Sequence, residues 1–207
     1  LINRDIGFHR IKGLDELDSS FGVIVLHGYY PLGWSSKGYE WVEPLRTLSK
    51  QKVPVWLYRY DWTACYKNSV DSLYTHLDKF VNEKDYLDSL WIIGHSFGGL
   101  VASLFSEKWD KDLPVTVHSI AAPLQKLSRS KSGCDDLDRD TYFINENINY
   151  LQWRTVHSED GAFKKLDYDP QEVKIKNGKT ILLPKKWNNG RLGHNKSIQF
   201  VAKILSD

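Results

Sequence analysis

Short apolar runs alternate with amphipathic stretches along most of this chain, and the two patterns have different periods. Largely apolar runs predict buried strands at Phe21–Leu26, Val53–Tyr60, Leu90–Ile93, Val115–Ile120 and Tyr150–Val156. Apolar residues spaced three or four apart predict helices at Glu40–Lys50, Asn68–Asn82, Gly99–Trp109 and Lys196–Leu205. Because strands take turns with helices, the chain is predicted to form an α/β fold with a mostly parallel sheet and helices on both faces.

The remaining stretches carry weaker patterns. Residues 1–20 have mixed charge and little periodicity, which predicts a segment leading into the fold with at most a short helix near Leu14–Leu17. A further helix is predicted at Thr141–Asn149. Val173–Lys176 and Lys179–Leu183 flank an Asn-Gly pair and predict a hairpin, whose second arm would be the sixth strand of the sheet.

No internal repeat or linker is visible, so residues 1–207 are predicted to form one domain. Within it, residues 124–149 are predicted to be a small insertion or flap. The apolar fraction of 41%, the charged fraction of 26% and the net charge of +2 are ordinary for a globular chain and indicate no nucleic-acid partner. No apolar run approaches the roughly 20 residues of a membrane span, so no integral membrane segment is expected.

The compartment, the oligomeric state and the pairing of the cysteines are less well defined by the sequence. No signal peptide is visible after Leu1, which leaves the compartment open between the cytoplasm and export after processing. The oligomeric state is also left open. Cys65 and Cys134 stand in polar surroundings and are predicted to be two unrelated thiols, with pairing as the alternative. No Cys/His spacing indicates a metal site.

The clearest chemical signal is the sequence GHSFG around Ser96, which matches G-x-S-x-G. It lies between the predicted strand Leu90–Ile93 and the helix that follows, as in a nucleophile elbow. In such a turn the serine sits at positive φ above the sheet edge, and Gly94 and Gly98 avoid collisions that larger residues would make. The N–H of Phe97 then begins the helix and points to where an oxyanion would form.

A serine hydroxyl becomes a strong nucleophile only when a base takes its proton, normally a histidine that a carboxylate orients. Asp160 follows the fifth predicted strand, and His194 follows the sixth. Parallel strands end at the same sheet edge, so both residues are expected near the nucleophile. We therefore predict Ser96, Asp160 and His194 to be the catalytic residues.

Two alternatives to these assignments stay open. His157 lies near the acid and is the rival base, although it precedes Asp160 at a strand end. The acid could instead come from an acidic cluster after the fourth strand, namely Asp135, Asp136, Asp138 and Asp140. The other interpretation of that cluster is a solvated polar loop.

Four motifs together resemble the α/β-hydrolase superfamily, in particular its small bacterial lipases and esterases without a large cap domain. They are HGYYPLG after the first strand, GHSFGG at the elbow, HSEDGAF after the fifth strand and LGHNKSI near the end. The resemblance implies an α/β-hydrolase fold of about six strands with a minimal cap or none. It also implies cleavage of carboxylic esters, as an esterase or lipase, through an acyl-enzyme on Ser96 and without a cofactor.

The resemblance extends to the oxyanion hole, where it implies backbone N–H groups of Tyr29 and Phe97. Many lipases have a second glycine soon after the HG pair, and this chain does not, so Tyr30 is the reserve donor. A thioesterase or an acyltransferase on the same three residues is an alternative function. A catalytically silent binding protein is another, which the complete Ser, Asp and His set argues against.

The expected partner is a small-molecule or lipid ester. Tyr29, Tyr30 and Trp34 lie beside the predicted oxyanion loop and are predicted to bind substrate. The insertion 124–149 is polar over its first two-thirds, so it lacks the apolar face that an amphipathic lid needs. Only Tyr142–Ile144 could supply a small flap, and the site is therefore expected to be open to water.

Overall fold

The computed structural model describes residues 4–11, 19–30, 38–126, 134–135 and 137–207. Its helices are α1 Val42–Leu48, α2 Tyr66–Asn82, α3 Phe97–Ser106 and α4 Gly193–Ser206. The strands are β1 Gly7–Arg10, β2 Phe21–Leu26, β3 Val55–Arg59, β4 Ser89–His95, β5 Val115–Ile120, β6 Thr141–Phe143, β7 Ile148–Arg154, β8 Lys174–Lys176, β9 Lys179–Leu182, β10 Lys186–Trp187 and β11 Gly190–Arg191. The predicted short helix near Leu14–Leu17 lies outside the described residues.

The central sheet has the order β1-β3-β2-β4-β5-β7-β9. All neighbours in it are parallel except β1, which pairs antiparallel with β3. The mostly parallel sheet predicted from the alternation of patterns is therefore confirmed. It contains one strand more than expected, because residues 1–20 include β1, whose four residues are too few to show a period.

Two apolar layers cover the two faces of the sheet, and alternation along each strand decides which residue enters which layer. In β2, Ile24 and Leu26 pack with residues of α2 and α3, whereas Val23 and Val25 pack with residues of α1 and α4. All four of these side chains are fully buried. Helix α1 is shorter than predicted, because 3₁₀ turns at 39–41 and 49–51 flank it.

The predicted helix at Thr141–Asn149 is wrong, because this stretch begins with β6. Tyr142 is fully buried and donates a hydrogen bond from its hydroxyl to the Leu124 carbonyl at 2.8 Å, whereas Phe143 is 64% exposed. Burial thus alternates with the period of a strand. Ile144 is also buried in the core, so Phe143 alone of the three predicted flap residues stays on the surface.

The predicted hairpin across Asn177 is also wrong, although its second arm does become a sheet strand. The turn is present, with Asn177 at a φ of 60°. However, β8 pairs in parallel with β6, and β9 pairs in parallel with β7 in the central sheet. The two arms therefore belong to different sheets, and the chain crosses between them at the turn.

The prediction of two unrelated thiols is wrong, because Cys65 and Cys134 form a disulfide with a Cα–Cα distance of 5.2 Å. The two residues lie 69 positions apart, and only tertiary contact brings them together. Cys134 is 8% exposed and packs in the α2–α3 layer despite its polar sequence neighbours. The bond fastens the start of α2 to the segment that follows β5.

None of the helices within the described residues has both the length and the apolar character of a membrane span.

His118 on β5 is buried in the core, at 3% exposure. The indole N–H of Trp153 donates to its Nδ1 at 3.1 Å, which requires that nitrogen to be unprotonated. Burial lowers the pKa of His118 to about 4, so the folded protein holds this imidazole neutral in mildly acidic solution.

We expect His118 to make the fold sensitive to acid. Between pH 6.5 and 4 the unfolded chain binds a proton here that the folded chain does not, so the free energy of unfolding falls as pH falls. The loss reaches about 3 kcal/mol by pH 4. Urea unfolding of the parent and of His118→Gln at pH 7 and pH 4.5 measures it. A stability difference between the two proteins that does not change with pH contradicts the expectation.

Candidate active site

The carboxyl ends of β2 and β4, the loop after β7 and the start of α4 meet around a cleft of about 730 Å³. This is the edge at which open α/β sheets bind ligands, and β2 and β4 flank the point where the strand order reverses. The lining residues include Gly28, Tyr29, Tyr30, Glu40, His95, Ser96, Gly161, Ala162, Arg191, Gly193, His194 and Lys196.

Ser96 sits on a strained turn between β4 and α3, with φ 54° and ψ −122°. Glycines make this turn possible. A Cβ at Gly94 would lie 2.4 Å from the Gly98 carbonyl oxygen, and one at Gly98 would lie 2.4 Å from the His27 carbonyl oxygen. Both distances are far inside van der Waals contact, so no side chain fits at either position. These are the collisions that the G-x-S-x-G pattern avoids by having glycine at both positions.

The loop after β2 lies directly beside this turn. A Cβ at Gly28 would be 3.1 Å from the Ser96 Cβ, which is tighter than an ordinary contact, so glycine favours the close approach. Buried His27 holds the loop: its Nδ1 is 2.8 Å from the Gly28 carbonyl oxygen, and Tyr60 donates its hydroxyl to the His27 carbonyl at 2.5 Å. The imidazole and the Tyr60 ring stack at 4.4 Å. His27 and Tyr60 therefore hold the loop that carries Tyr29 in place.

The predicted substrate-binding residues differ in their placement. Tyr29 lines the cleft and is 48% exposed. Tyr30 also lines it, but it is 3% exposed and donates its hydroxyl to Glu40 at 2.7 Å. Trp34 lies outside the described residues. Phe97 is the first residue of α3, where N–H groups must find partners outside the helix.

Asp160 and His194 meet at the same cleft. His194 Nδ1 is 3.0 Å from Asp160 Oδ2, and the Asp160 carboxylate is fully buried. Thr155 donates its hydroxyl to Oδ2 at 2.5 Å, while the Ala162 N–H donates to Oδ1 at 2.8 Å. These partners of the carboxylate are hydrogen-bond donors or the imidazole, as an ionised carboxylate requires.

The charge of Asp160 follows from these partners. Burial by itself would raise the pKa of the Asp160 carboxyl. The hydrogen bond and the charge of His194, together with the hydrogen bonds from Thr155 and Ala162, outweigh it and hold this pKa below its usual range. Thr155 was missed in the sequence analysis. Thr155 directly follows β7 and precedes the acid by five residues, and this position is the signal that could have identified it.

His95 is a second group to which the sequence analysis gave no role. It is 3% exposed, its ring lies 4.7 Å from that of His194, and its Nε2 is 3.2 Å from the His194 carbonyl oxygen. Burial and the nearby His194 keep the pKa of His95 well below its usual range, so the imidazole is neutral. Phe163 packs edge-on against the other side of His194 at 5.0 Å.

The alternative acids and the rival base lie elsewhere. Asp135 is exposed and pairs with Lys67 at 2.6 Å, Asp138 and Asp140 are exposed, and Asp136 is outside the described residues. His157 does not line the cleft, and its Nε2 is 2.9 Å from the Phe163 carbonyl oxygen. Of the candidates, Asp160 contacts His194, and His194 lines the same cleft as Ser96. Across the described ranges, no group of three or more His, Cys, Asp or Glu side chains could hold a metal ion.

The chain belongs to the alpha/beta hydrolase family, because residues 23–163 match the sequence model of that family. The resemblance inferred from the four motifs is thereby confirmed. No curated protein sequence matches the chain. Solved structures show the same fold at low sequence identity, so they support the fold assignment and do not identify the substrate.

Est1E from Butyrivibrio proteoclasticus is 14% identical with a TM-score of 0.58, covering 96% of this chain and 90% of its own. XC6422 from Xanthomonas campestris, an a/b serine hydrolase without lid, is 15% identical with a TM-score of 0.54. The match covers 96% of this chain and 84% of XC6422. The esterase PF2001 from Pyrococcus furiosus is 14% identical with a TM-score of 0.56. The match covers 91% of this chain and 79% of PF2001. The chain therefore has a hydrolase fold that esterases and a lidless serine hydrolase share.

Proposed function

We propose that this protein is a serine hydrolase that cleaves carboxylic esters through an acyl-enzyme on Ser96. One observation carries the proposal: His194 is held by buried Asp160 at 3.0 Å in the same cleft as a serine at positive φ. A binding protein needs neither the strained serine nor a buried carboxylate fixed on a cleft histidine. The esterases with the same fold add support from other chains.

In the proposed first half-reaction, His194 takes the Ser96 proton and the hydroxyl oxygen attacks the ester carbonyl carbon. Asp160 accepts from Nδ1–H, which leaves Nε2 as the base and stabilises the imidazolium that forms. The negative charge passes to the carbonyl oxygen, where the N–H groups of Tyr29 and Phe97 are proposed to stabilise it. As the tetrahedral intermediate collapses, the imidazolium protonates the alcohol oxygen and the C–O bond breaks.

The second half-reaction repeats these steps with water. His194 removes a proton from water, the hydroxide attacks the acyl carbon, and the proton returns to Ser96 as the acid leaves. Tyr29 and Tyr30 are proposed to contact the acyl group from the oxyanion loop, with Trp34 as a third candidate. No step calls for a group other than the side chains and backbone named here.

Labelling with a fluorophosphonate tests the proposal, because this reagent reacts with an activated serine. We expect mass spectrometry of the digested protein to find the label on Ser96, and 4-nitrophenyl butanoate to be hydrolysed until labelling stops the reaction. Parallel assays with a butanoyl thioester separate the thioesterase alternative. Absence of label on Ser96 in the folded protein overturns the proposal, as does faster turnover of the thioester than of the ester.

We expect no interfacial activation. In the part of 124–149 that the structure describes, Phe143 is the one exposed large apolar side chain, since Tyr142 and Ile144 are in the core. A single aromatic ring cannot cover a 730 Å³ cleft and then meet lipid. The initial rate on a medium-chain ester should therefore follow a smooth hyperbola through its solubility limit. A sharp rise in rate at saturation would show that a lid operates.

A further inference from the structure

Two cations, Arg191 and Lys196, stand on the His194 side of the cleft, and the proposed mechanism uses neither. Both line the cleft, and both side chains are exposed. Neither forms an ion pair with any residue that the structure describes. Both cations therefore line the cleft without an ion-pair partner in the described part of the chain.

Both cations lie against backbone glycines. Arg191 Nη2 lies 3.8 Å from where a Cβ on Gly161 would be, and its Nε lies 3.4 Å from the corresponding position on Gly193. Lys196 Nζ lies 3.1 Å from the Cβ position of Gly190, the residue that precedes Arg191. Three glycines thus leave room for two long cationic side chains to pack against the backbone. Arg191 is thereby held against Gly193, the residue before His194, and Lys196 against Gly190.

A carboxylate also lines the cleft. Glu40 lines the cleft next to Tyr30, whose hydroxyl donates to its carboxylate at 2.7 Å. Glu40 is partly exposed, so its charge acts on a bound molecule as well as on the tyrosine. The lining of the cleft therefore contains a carboxylate next to Tyr30 of the oxyanion loop and two cations from the start of α4 and the strand just before it.

We propose that this arrangement of charges selects esters whose alcohol half carries an anionic group, a carboxylate or a phosphate, and whose acyl half is uncharged. The inference rests on the proposed function and specifies its substrate class. The base must protonate the leaving oxygen, so the alcohol half of the ester lies next to His194 and within reach of the two cations. The guanidinium of Arg191 can bind a carboxylate or a phosphate through two parallel hydrogen bonds. Glu40 repels an anionic acyl group.

Matched synthetic esters test this selection. The anionic substrates are 4-carboxyphenyl butanoate and 4-phosphonophenyl butanoate, and the neutral reference is 4-carbamoylphenyl butanoate. A third comparison moves the charge to the acyl half, with the monoester 4-nitrophenyl succinate against 4-nitrophenyl pentanoate. Each kcat/KM is divided by the rate constant for hydroxide-catalysed hydrolysis of the same ester, which removes the intrinsic reactivity of the leaving group.

We expect normalised kcat/KM to be about 5- to 10-fold higher for the anionic butanoates than for the neutral one, the range that two partly solvated charges provide. The preference should shrink in 0.5 M NaCl, because salt screens exposed charges. In Arg191→Gln/Lys196→Gln the ratio should fall to about 1. The control Lys50→Gln/Lys203→Gln removes the same net charge at exposed positions outside the cleft and should keep the preference.

Each other outcome overturns the inference. Equal rates for the anionic and neutral butanoates, a preference that survives in Arg191→Gln/Lys196→Gln, or a preference for the succinate monoester would each do so. If Ser96 is labelled and the neutral ester is hydrolysed without discrimination, only the charge selection fails. If neither labelling nor hydrolysis occurs, the proposed function fails with it.

Discussion

Replacing Ser96 by alanine is expected to lower kcat/KM for a soluble butanoate ester by about 10³-fold or more while the protein stays folded. The serine hydroxyl is the proposed nucleophile, and no neighbouring group can take its place on the turn. His194→Ala should cause a loss of similar size, because Ser96 then has no base. Ester hydrolysis and circular dichroism of both variants measure activity and fold.

A matched control keeps this comparison specific. Ser158→Ala removes the hydroxyl of an exposed serine in the loop before Asp160 and does not touch the cleft. It should retain the activity of the parent. Near-parental hydrolysis by folded Ser96→Ala or folded His194→Ala would show that another group carries the chemistry.

The second large effect is expected at Asp160, where asparagine should lower kcat by about 10³- to 10⁴-fold. The Ala162 N–H donates to Oδ1, so the amide oxygen of asparagine should take that place and its NH₂ should take the place of Oδ2, which faces His194 and the Thr155 hydroxyl. Turned toward His194, that NH₂ would donate to Nδ1 and fix the wrong imidazole tautomer. KM should change far less than kcat.

Asp138→Asn serves as the control, because Asp138 is exposed and belongs to the cluster that was the alternative source of the acid. It should leave kcat unchanged. A melting temperature measured for each variant separates lost catalysis from lost fold, since the Asp160 carboxylate is fully buried. If Asp138→Asn lowers kcat and Asp160→Asn does not, the acid lies after β5.

Much of the fold follows from local patterns in the sequence. A strand of the central sheet needs only a short apolar run, and Phe21–Leu26 and Val115–Ile120 were predicted with the bounds that the structure has. The elbow is local in part: a Cβ at Gly94 would collide with Gly98, four residues later, whereas one at Gly98 would collide with Leu26 and His27 at the end of β2, far earlier in the chain. Strand order then brings Asp160 and His194 to the same edge.

What the sequence could not show depends on partners distant along the chain. The disulfide joins residues 69 positions apart, and β6 is a strand because β8, some thirty residues later, pairs with it. Thr155 matters through its contact with a carboxylate that only the folded loop presents. Arg191 and Lys196 look like ordinary surface charges in the sequence, and only the folded chain shows that both line the same cleft.

Strand β1 also has a consequence for handling the protein. It covers the outer edge of β3, where Val55, Trp56, Leu57 and Tyr58 are all buried. A chain shortened to begin at Ser19 would leave that edge with unpaired N–H and C=O groups along an apolar strand, which is a template for intermolecular β-pairing. The few residues before Ile11 therefore protect the molecule against aggregation as much as they complete its sheet.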